Sequence, residues 1–401
     1  MSAITPSSPP PGPLSGLKVL ELGQLIAGPF AGKTLAEFGA DVIKIEPPGD
    51  GDPLRQWRLL HQGTSVWWQV QSRNKRSVVL DLRTAQGRAD VAALAAEADV
   101  LIENFKPGTL EKWGLGPDTL AATNPGLIML RISGYGQTGP YRDLPGFAVV
   151  AEAMGGLRHL MGEPGRPPVR AGVSLGDTLA ALHGVIGVLL ALQARASSIS
   201  AEAPKGRGQV VDVALYESVF NCMESLLPEF SAFGTVRQPA GSALPGIAPS
   251  NAYRCVDGQV VIGGNGDSIF KRLMASIGRE DLGQDAGLAN NAQRAARVDE
   301  LDAAITAWTL QRTVAEVVAT LQAASVPAGR IYTVADIAGD PHFLARGMIQ
   351  QASTPDGLAL AVPGVVPKLS ATPGTLRSPA PTLGQHTAEV LDALKRKGWA
   401  G

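Results

Sequence analysis

From residue 17 to residue 136 the chain alternates short apolar runs with helix-patterned segments, and this alternation is what most limits its fold. "LKVLEL" (Leu17–Leu22) is a short apolar run closed by Gly23. "FAGKTLAEFG" sets Phe30, Leu35 and Phe38 near one helical face and ends on Gly39, a helix with a stop signal. "DVIKIE" (Asp41–Glu46), "SVVLDL", "DVLIENF" and "LIMLRISGYG" read as further strands, with "GRADVAALAAEA" as a helix between two of them. Parallel strands need a crossover of a dozen residues, and a helix is the usual one. Repeated strand–helix–strand units therefore predict an α/β fold: an open, mostly parallel sheet with helices on both faces.

After a long apolar segment, "SLGDTLAALHGVIGVLLALQARA", the stretch "QVVDVALYESVFNCMESLL" starts as a strand and becomes a helix. The texture then changes. "NAYRCVDGQVVIGGNG" predicts two strands joined at an Asp257-Gly258 turn, and "VDELDAAITAWTLQRTVAEVVATLQAASV" two amphipathic helices. The pattern predicts a large domain over 15–228 and 328–401, a smaller α+β domain over 229–327, and a disordered leader over 1–14. The chain ends in "TAEVLDALKRKG", which reads as a capped helix.

Charge excludes some partners. The 401 residues carry a formal net charge of −1, which favours neither nucleic acid nor an anionic membrane. An anionic ligand must then be met by local cations. Cys222 and Cys255 have no Cys or His at ligand spacing, so they predict buried free thiols and neither a disulfide nor a metal site. "MSAITPSSPPPGP" has no basic segment followed by an apolar one, unlike a signal peptide. The apolar run Leu179–Leu192 is broken by His183 and Gly184 and is short for a membrane span. It predicts a buried helix, no membrane association and a cytoplasmic protein.

"AGPFAGKT" (Ala27–Thr34) has the outline of a phosphate-binding loop, but Ala27 stands where its first Gly belongs. Pro29 has no N–H to offer a phosphate. A dinucleotide fingerprint starting at Gly23 fails too, because Leu25 occupies its second Gly position. Pro29 reads instead as the first residue of a helix.

"AGVSLGDTLAALHG" carries the chemistry. Asp177 precedes a long apolar helix, with Gly172 and Gly176 beside it. It can cap that helix, although Ala180 stands where Glu or Gln would complete a capping box. A carboxylate stabilised by the positive end of a helix can also act as a nucleophile, with glycines admitting a bulky acyl group.

Nine stretches, in this order, resemble the family III CoA-transferases, the formyl-CoA and carnitine CoA-transferase group: "GLKVLELGQLIAGPF", "FGADVIKIEPPGDGD", "NKRSVVLDL", "VLIENFKPG", "ISGYGQTGP", "GVSLGDTLAALHGVIGVLLAL", "GRGQVVDVALYES", "VPAGRIYTVADI" and "LGQHT". The resemblance implies a large domain with a Rossmann-like core, a smaller α+β domain, and a homodimer of two chains threaded as interlocked rings. It matches Asp177 to the family's catalytic aspartate. It sets Leu80, Arg83, Asn104, Phe105, Lys112 and Ala27 along the path of coenzyme A, which is a substrate and not a tightly bound cofactor. "GGNGD" (Gly263–Asp267) resembles a glycine-rich loop that closes on the site through Gly263, Gly264 and Gly266. Tyr135 of "ISGYGQTGP" falls on the substrate side. Pro47 departs from members that have Arg there.

The implied activity is transfer of CoA from an acyl-CoA to a carboxylic acid through aspartyl anhydride and aspartyl-CoA thioester intermediates. The α-methylacyl-CoA racemases share this fold and use a His in a "GHD"-like stretch. Here that stretch is "GFA", and the phenyl ring of Phe147 cannot carry a proton. Transferases often show "GYD" there, so Phe147-Ala148 departs from their pattern too. His159 and His183, the nearby histidines, read as packing or surface residues. The overall texture resembles transferases of dicarboxylic acids, the succinyl-CoA:glutarate type, with Arg170 a candidate for the distal carboxylate. A racemase-like enzyme and a non-catalytic CoA-binding protein stay open as alternatives.

Overall fold

A computed structural model of the chain describes residues 11–396, 398 and 399. Residues 1–10 of the expected leader lie outside them. Leu14 donates to the Phe38 carbonyl at 3.0 Å and packs on the core, so the folded part begins before residue 15.

The chain forms two compact units. The larger takes residues up to 157, then 171–224 and 344 onward; the smaller takes 158–170 and 225–343. In the larger unit six strands form one parallel sheet: β1 (Lys18–Glu21), β2 (Asp41–Glu46), β3 (Lys75–Val79), β4 (Val100–Glu103), β5 (Ile128–Ser133) and β6 (Val210–Ala214). Their spatial order is β3-β2-β1-β4-β5-β6. That is the order of dinucleotide-binding sheets, in which the winding reverses between β1 and β4.

Both faces of the sheet are covered, so its central strands are buried along nearly their whole length. On one face Val19, Val42, Val100, Ile102 and Leu130 pack with α1 (Ala27–Glu37) and a long helix, Leu175–Ser197. On the other, Leu20, Ile43, Leu101 and Met129 pack with α2 (Ala85–Glu97) and a C-terminal helix, Thr387–Lys395. That last helix has no side-chain cap. Helix α1 starts two residues before Pro29, not at it. Proline is tolerated there because N–H groups of the first turn have no intrahelical acceptor.

The long helix is buried on one side only, a correction to the expected buried helix. Ala180, Ala181, Val188 and Ala191 are buried, whereas Leu182, Ile186, Leu189 and Leu190 are exposed. Among the described residues it is the helix long and apolar enough to cross a membrane, with mean hydropathy 1.8 over 18 residues. Gly184, which breaks the apolar run in sequence, has a packing reason: a Cβ there would sit 2.9 Å from Leu130.

The smaller unit is built on β7 (Ser250–Arg254), β8 (Gln259–Gly263) and β9 (Ala328–Arg330). The Asp257-Gly258 turn joins β7 to β8, and β9 pairs with β8, so this unit extends past the expected limit at 327. The two amphipathic helices are Val298–Thr309 and Val314–Ala323. Cys255 is buried as expected; Cys222, in the turn that ends helix Leu215–Phe220, is exposed.

A buried ionic cluster ties β2 to the segment that follows it. Glu46 accepts both arms of the Arg55 guanidinium, at 2.7 and 2.8 Å, and the Ser77 hydroxyl at 2.6 Å. Burial alone would raise the Glu46 carboxyl, but Arg55 and Lys44 more than offset it and hold it below 4.5. Asp52, likewise buried, is held below 3.8 by Lys44 and two backbone N–H groups. Folded values below unfolded ones make this stabilisation full above the ordinary carboxylate range and lost as pH falls through the depressed values. Urea midpoints of the larger unit are therefore expected to fall steeply below about pH 4, and Glu46→Gln to flatten that slope.

Candidate functional site

Doubly wound sheets bind ligands beyond the carboxyl ends of their strands, where the winding reverses. In this chain that place is filled by the segment after β1, Gln24 to Ala27, and the residues after β4, Asn104 and Phe105. Both segments line a cavity of about 160 Å³, together with Trp57, Ser133, Gly134, Gly146, Phe147, Leu215 and Asp177.

Each wall has a local cause. Asn104 closes on Gln24 twice: its Oδ1 accepts the Gln24 N–H at 2.7 Å and its Nδ2 donates to the Gln24 carbonyl at 2.8 Å. Phe105 packs edge-on against Trp113, with centroids 5.4 Å apart. Gly134 and Gly146 cross so closely that a Cβ on Gly134 would lie 2.8 Å from the Gly146 Cα. Any side chain at that crossing would push the two loops apart.

Asp177 lies in the first turn of the long helix, which begins at Leu175. Ser174 is the N-cap residue, so Asp177 does not cap the helix. Its carboxylate is half-buried at the positive end of a 23-residue helix, where negative charge is stabilised. Gly176, directly before it, donates to the buried Glu152 carboxylate at 3.3 Å and approaches the Ala148 carbonyl so that a Cβ would stand 3.3 Å away. The helix start is thereby fixed against the segment that carries Phe147.

Of the residues singled out in the sequence, Asp177, Ala27, Asn104 and Phe105 come together around this cavity. Leu80 is buried in the core and Lys112 is exposed; neither lines it. Arg83, also outside it, is held by Asp81 at 2.8 and 2.9 Å. Tyr135 packs beside Tyr141 and Tyr216 at 5.9 and 6.2 Å. Gly263, Gly264, Gly266 and Arg170 belong to the smaller unit. There Gly266 caps helix Asp267–Ser276, and the buried Arg294 donates to the Asn265 carbonyl, bracing the glycine loop. His159 and His183 bond to backbone carbonyls, of Arg237 and Leu179.

Lys33, the lysine of the phosphate-loop outline, is buried, pairs with Glu37 at 3.7 Å and lies 4.1 Å over the Phe30 ring. Burial lowers its pKa, which suits packing and not phosphate capture.

Residues 14–387 match the family model described as CoA-transferase family III. The chain belongs to this family. A succinyl-CoA–D-citramalate CoA-transferase of Chloroflexus aurantiacus is 49% identical over 97% of this chain and 95% of its own length. The beta subunit of a succinyl-CoA–L-malate CoA-transferase from the same organism is 44% identical over 95% and 94%. A solved CAIB/BAIF family protein from Brucella suis superposes with a TM-score of 0.82, at 37% identity, covering 96% of this chain and all of that one. Enzymes of this family use CoA thioesters as substrates.

Sequence reasoning did not single out Gln24, Leu25, Ile26, Trp57, Ser133, Gly134, Gly146 or Leu215 as cavity residues. "SGYG" flagged a glycine turn at Gly134. Trp57 gave no periodic signal, because it enters the cavity from an irregular segment after a short 3-10 turn, Pro53–Gln56.

Proposed function

We propose that the enzyme moves CoA from succinyl-CoA to a dicarboxylic acid, with Asp177 as nucleophile. The observation that carries this reading is a helix-start carboxylate in one cavity with the segments after β1 and β4. The Asp177 carboxylate attacks the thioester carbonyl, giving a mixed anhydride and CoA thiolate. The thiolate attacks the aspartyl carbonyl, releasing succinate and leaving an aspartyl-CoA thioester. The acceptor carboxylate attacks that thioester, forming a new anhydride and thiolate. Attack of the thiolate on the acceptor acyl carbon then restores Asp177. Thioester energy is conserved throughout, so no ATP is consumed. Water must be kept out, because both intermediates hydrolyse.

The relatives named for citramalate and malate support a dicarboxylate acceptor. Phe147 in the cavity wall argues against racemisation, which needs a second proton carrier at the α-carbon. The test is an acceptor panel: succinyl-CoA is mixed with malate, citramalate, glutarate or acetate, and acyl-CoA products are followed by mass spectrometry. New dicarboxyl-CoA species are the expected result. Deuterium exchange at an α-carbon without acceptor, or CoA binding with no transfer, would overturn the reading.

The same reading includes a cytoplasmic homodimer. The dimer, though not the location, is supported by the exposed apolar ridge of Leu182, Ile186, Leu189 and Leu190, which calls for a covering surface. Ile186→Glu with Leu190→Glu is expected to lower the sedimenting mass to that of one chain, or to abolish soluble expression. An unchanged dimer would show that this ridge is not its interface.

A further inference from the structure

The cavity wall after β1 is pinned from beneath by two charges that never reach the cavity. Leu25 has φ 64, a left-handed conformation that leucine keeps only when its surroundings hold it. The Asp52 carboxylate provides that hold. Its Oδ1 accepts the Leu25 N–H at 3.0 Å and the Leu54 N–H at 2.9 Å, and its Oδ2 meets the Lys44 ammonium at 2.8 Å. Lys44 in turn donates to the Gly23 carbonyl and pairs with Glu21 at 3.4 Å. Both side chains are fully buried. From the other side Asn104 takes both backbone groups of Gln24. Gly23, Gln24 and Leu25 are therefore each held.

Burial makes such a pair costly, and a well-packed apolar pair often serves stability as well. An apolar pair, however, could neither donate to the Gly23 carbonyl nor accept from the Leu25 N–H. Burial opposes both charges, yet Lys44 is held above its ordinary range and Asp52 below its own, each chiefly by the other.

We infer that Asp52, with Lys44, is a positioning residue: it fixes the left-handed turn at Leu25 and so sets the Gln24–Ala27 wall against which the thioester binds opposite Asp177. The inference rests on the CoA-transfer reading for its kinetic consequence, but not for its structural one.

Four readouts test it. In the wild-type enzyme, the Leu25 amide is expected to be strongly protected from hydrogen exchange; exchange at the rate of an open loop overturns the inference without any variant. In Asp52→Asn, exchange across Gly23–Ala27 is expected to quicken while β1 and α1 stay protected. The kcat per folded molecule should fall by up to about 10²-fold, the scale of a small misplacement. Glycine adopts positive φ freely, so Leu25→Gly in the Asp52→Asn background should restore part of that kcat. A purely structural role would lower the folded fraction, leave kcat per folded molecule unchanged and show no rescue, which would refute the inference. Absence of transfer in the wild type would defeat the proposed function alone, since the exchange readouts still decide the clamp.

Discussion

Asp177→Ala is expected to lower CoA transfer by about 10⁴- to 10⁶-fold, the range seen when an enzyme loses its nucleophile. Among the residues lining the cavity Asp177 carries the one carboxylate, Phe147, Leu215 and Phe105 carry no nucleophilic atom, and no His, Lys or second carboxylate lines it to activate the Ser133 hydroxyl. The Glu152 carboxylate is buried beneath Gly176. Asp177→Asn keeps the side-chain shape and removes the charge, so it separates attack from packing. It should be nearly as inactive as the alanine variant while binding CoA with unchanged affinity, measured by calorimetry. Ser174 and not Asp177 is the N-cap residue, so the helix keeps its cap residue in both variants. A large loss of stability in either variant would indicate that Asp177 serves the helix and not the reaction.

Glu46→Ala is expected to destabilise the larger unit by about 3–5 kcal/mol, the cost of stripping one partner from a buried ion pair. Four groups converge on this carboxylate: two arms of Arg55, the Ser77 hydroxyl and the Asp52 N–H at 3.0 Å. Glu46 is fully buried and Arg55 is 5% exposed, lying 3.7 Å over the buried Trp68 ring. Removing the carboxylate leaves the guanidinium without its counter-charge in a dry site. Replacing both partners, Glu46→Leu with Arg55→Met, should cost much less, since the uncompensated charge goes too. Urea unfolding followed by tryptophan fluorescence distinguishes the cases. Equal destabilisation by the single and double variants would mean that packing, not charge, governs this corner.

The sheet was legible because its strands are buried on both faces and its crossovers carry helical periodicity; both leave marks in a one-dimensional pattern. Asp177 stood out through its glycines and the apolar helix behind it, and Asn104 and Phe105 through a family-like stretch at a strand end. What pattern cannot carry is the meeting of irregular segments. Trp57 lies in no periodic element, and the positive φ of Leu25 occurs at a residue that gives no turn signal. The Lys44–Asp52 pair was hidden for another reason: Lys44 sits between Ile43 and Ile45 in β2, where local rules see only an interruption. The ridge on the long helix was misjudged because apolarity alone does not say which side of a helix faces its own chain. The limit of the smaller unit was misplaced because β9 is three residues long and is recruited by pairing with β8, not by its own sequence.

The most direct test of the account is to incubate the enzyme with succinyl-CoA, quench it, and map covalent CoA by peptide mass spectrometry. A CoA thioester on Asp177, lost when malate or another productive acceptor is added and absent from Asp177→Asn, is the expected result. Sustained transfer with no adduct on Asp177, or with an adduct on another residue, would contradict it.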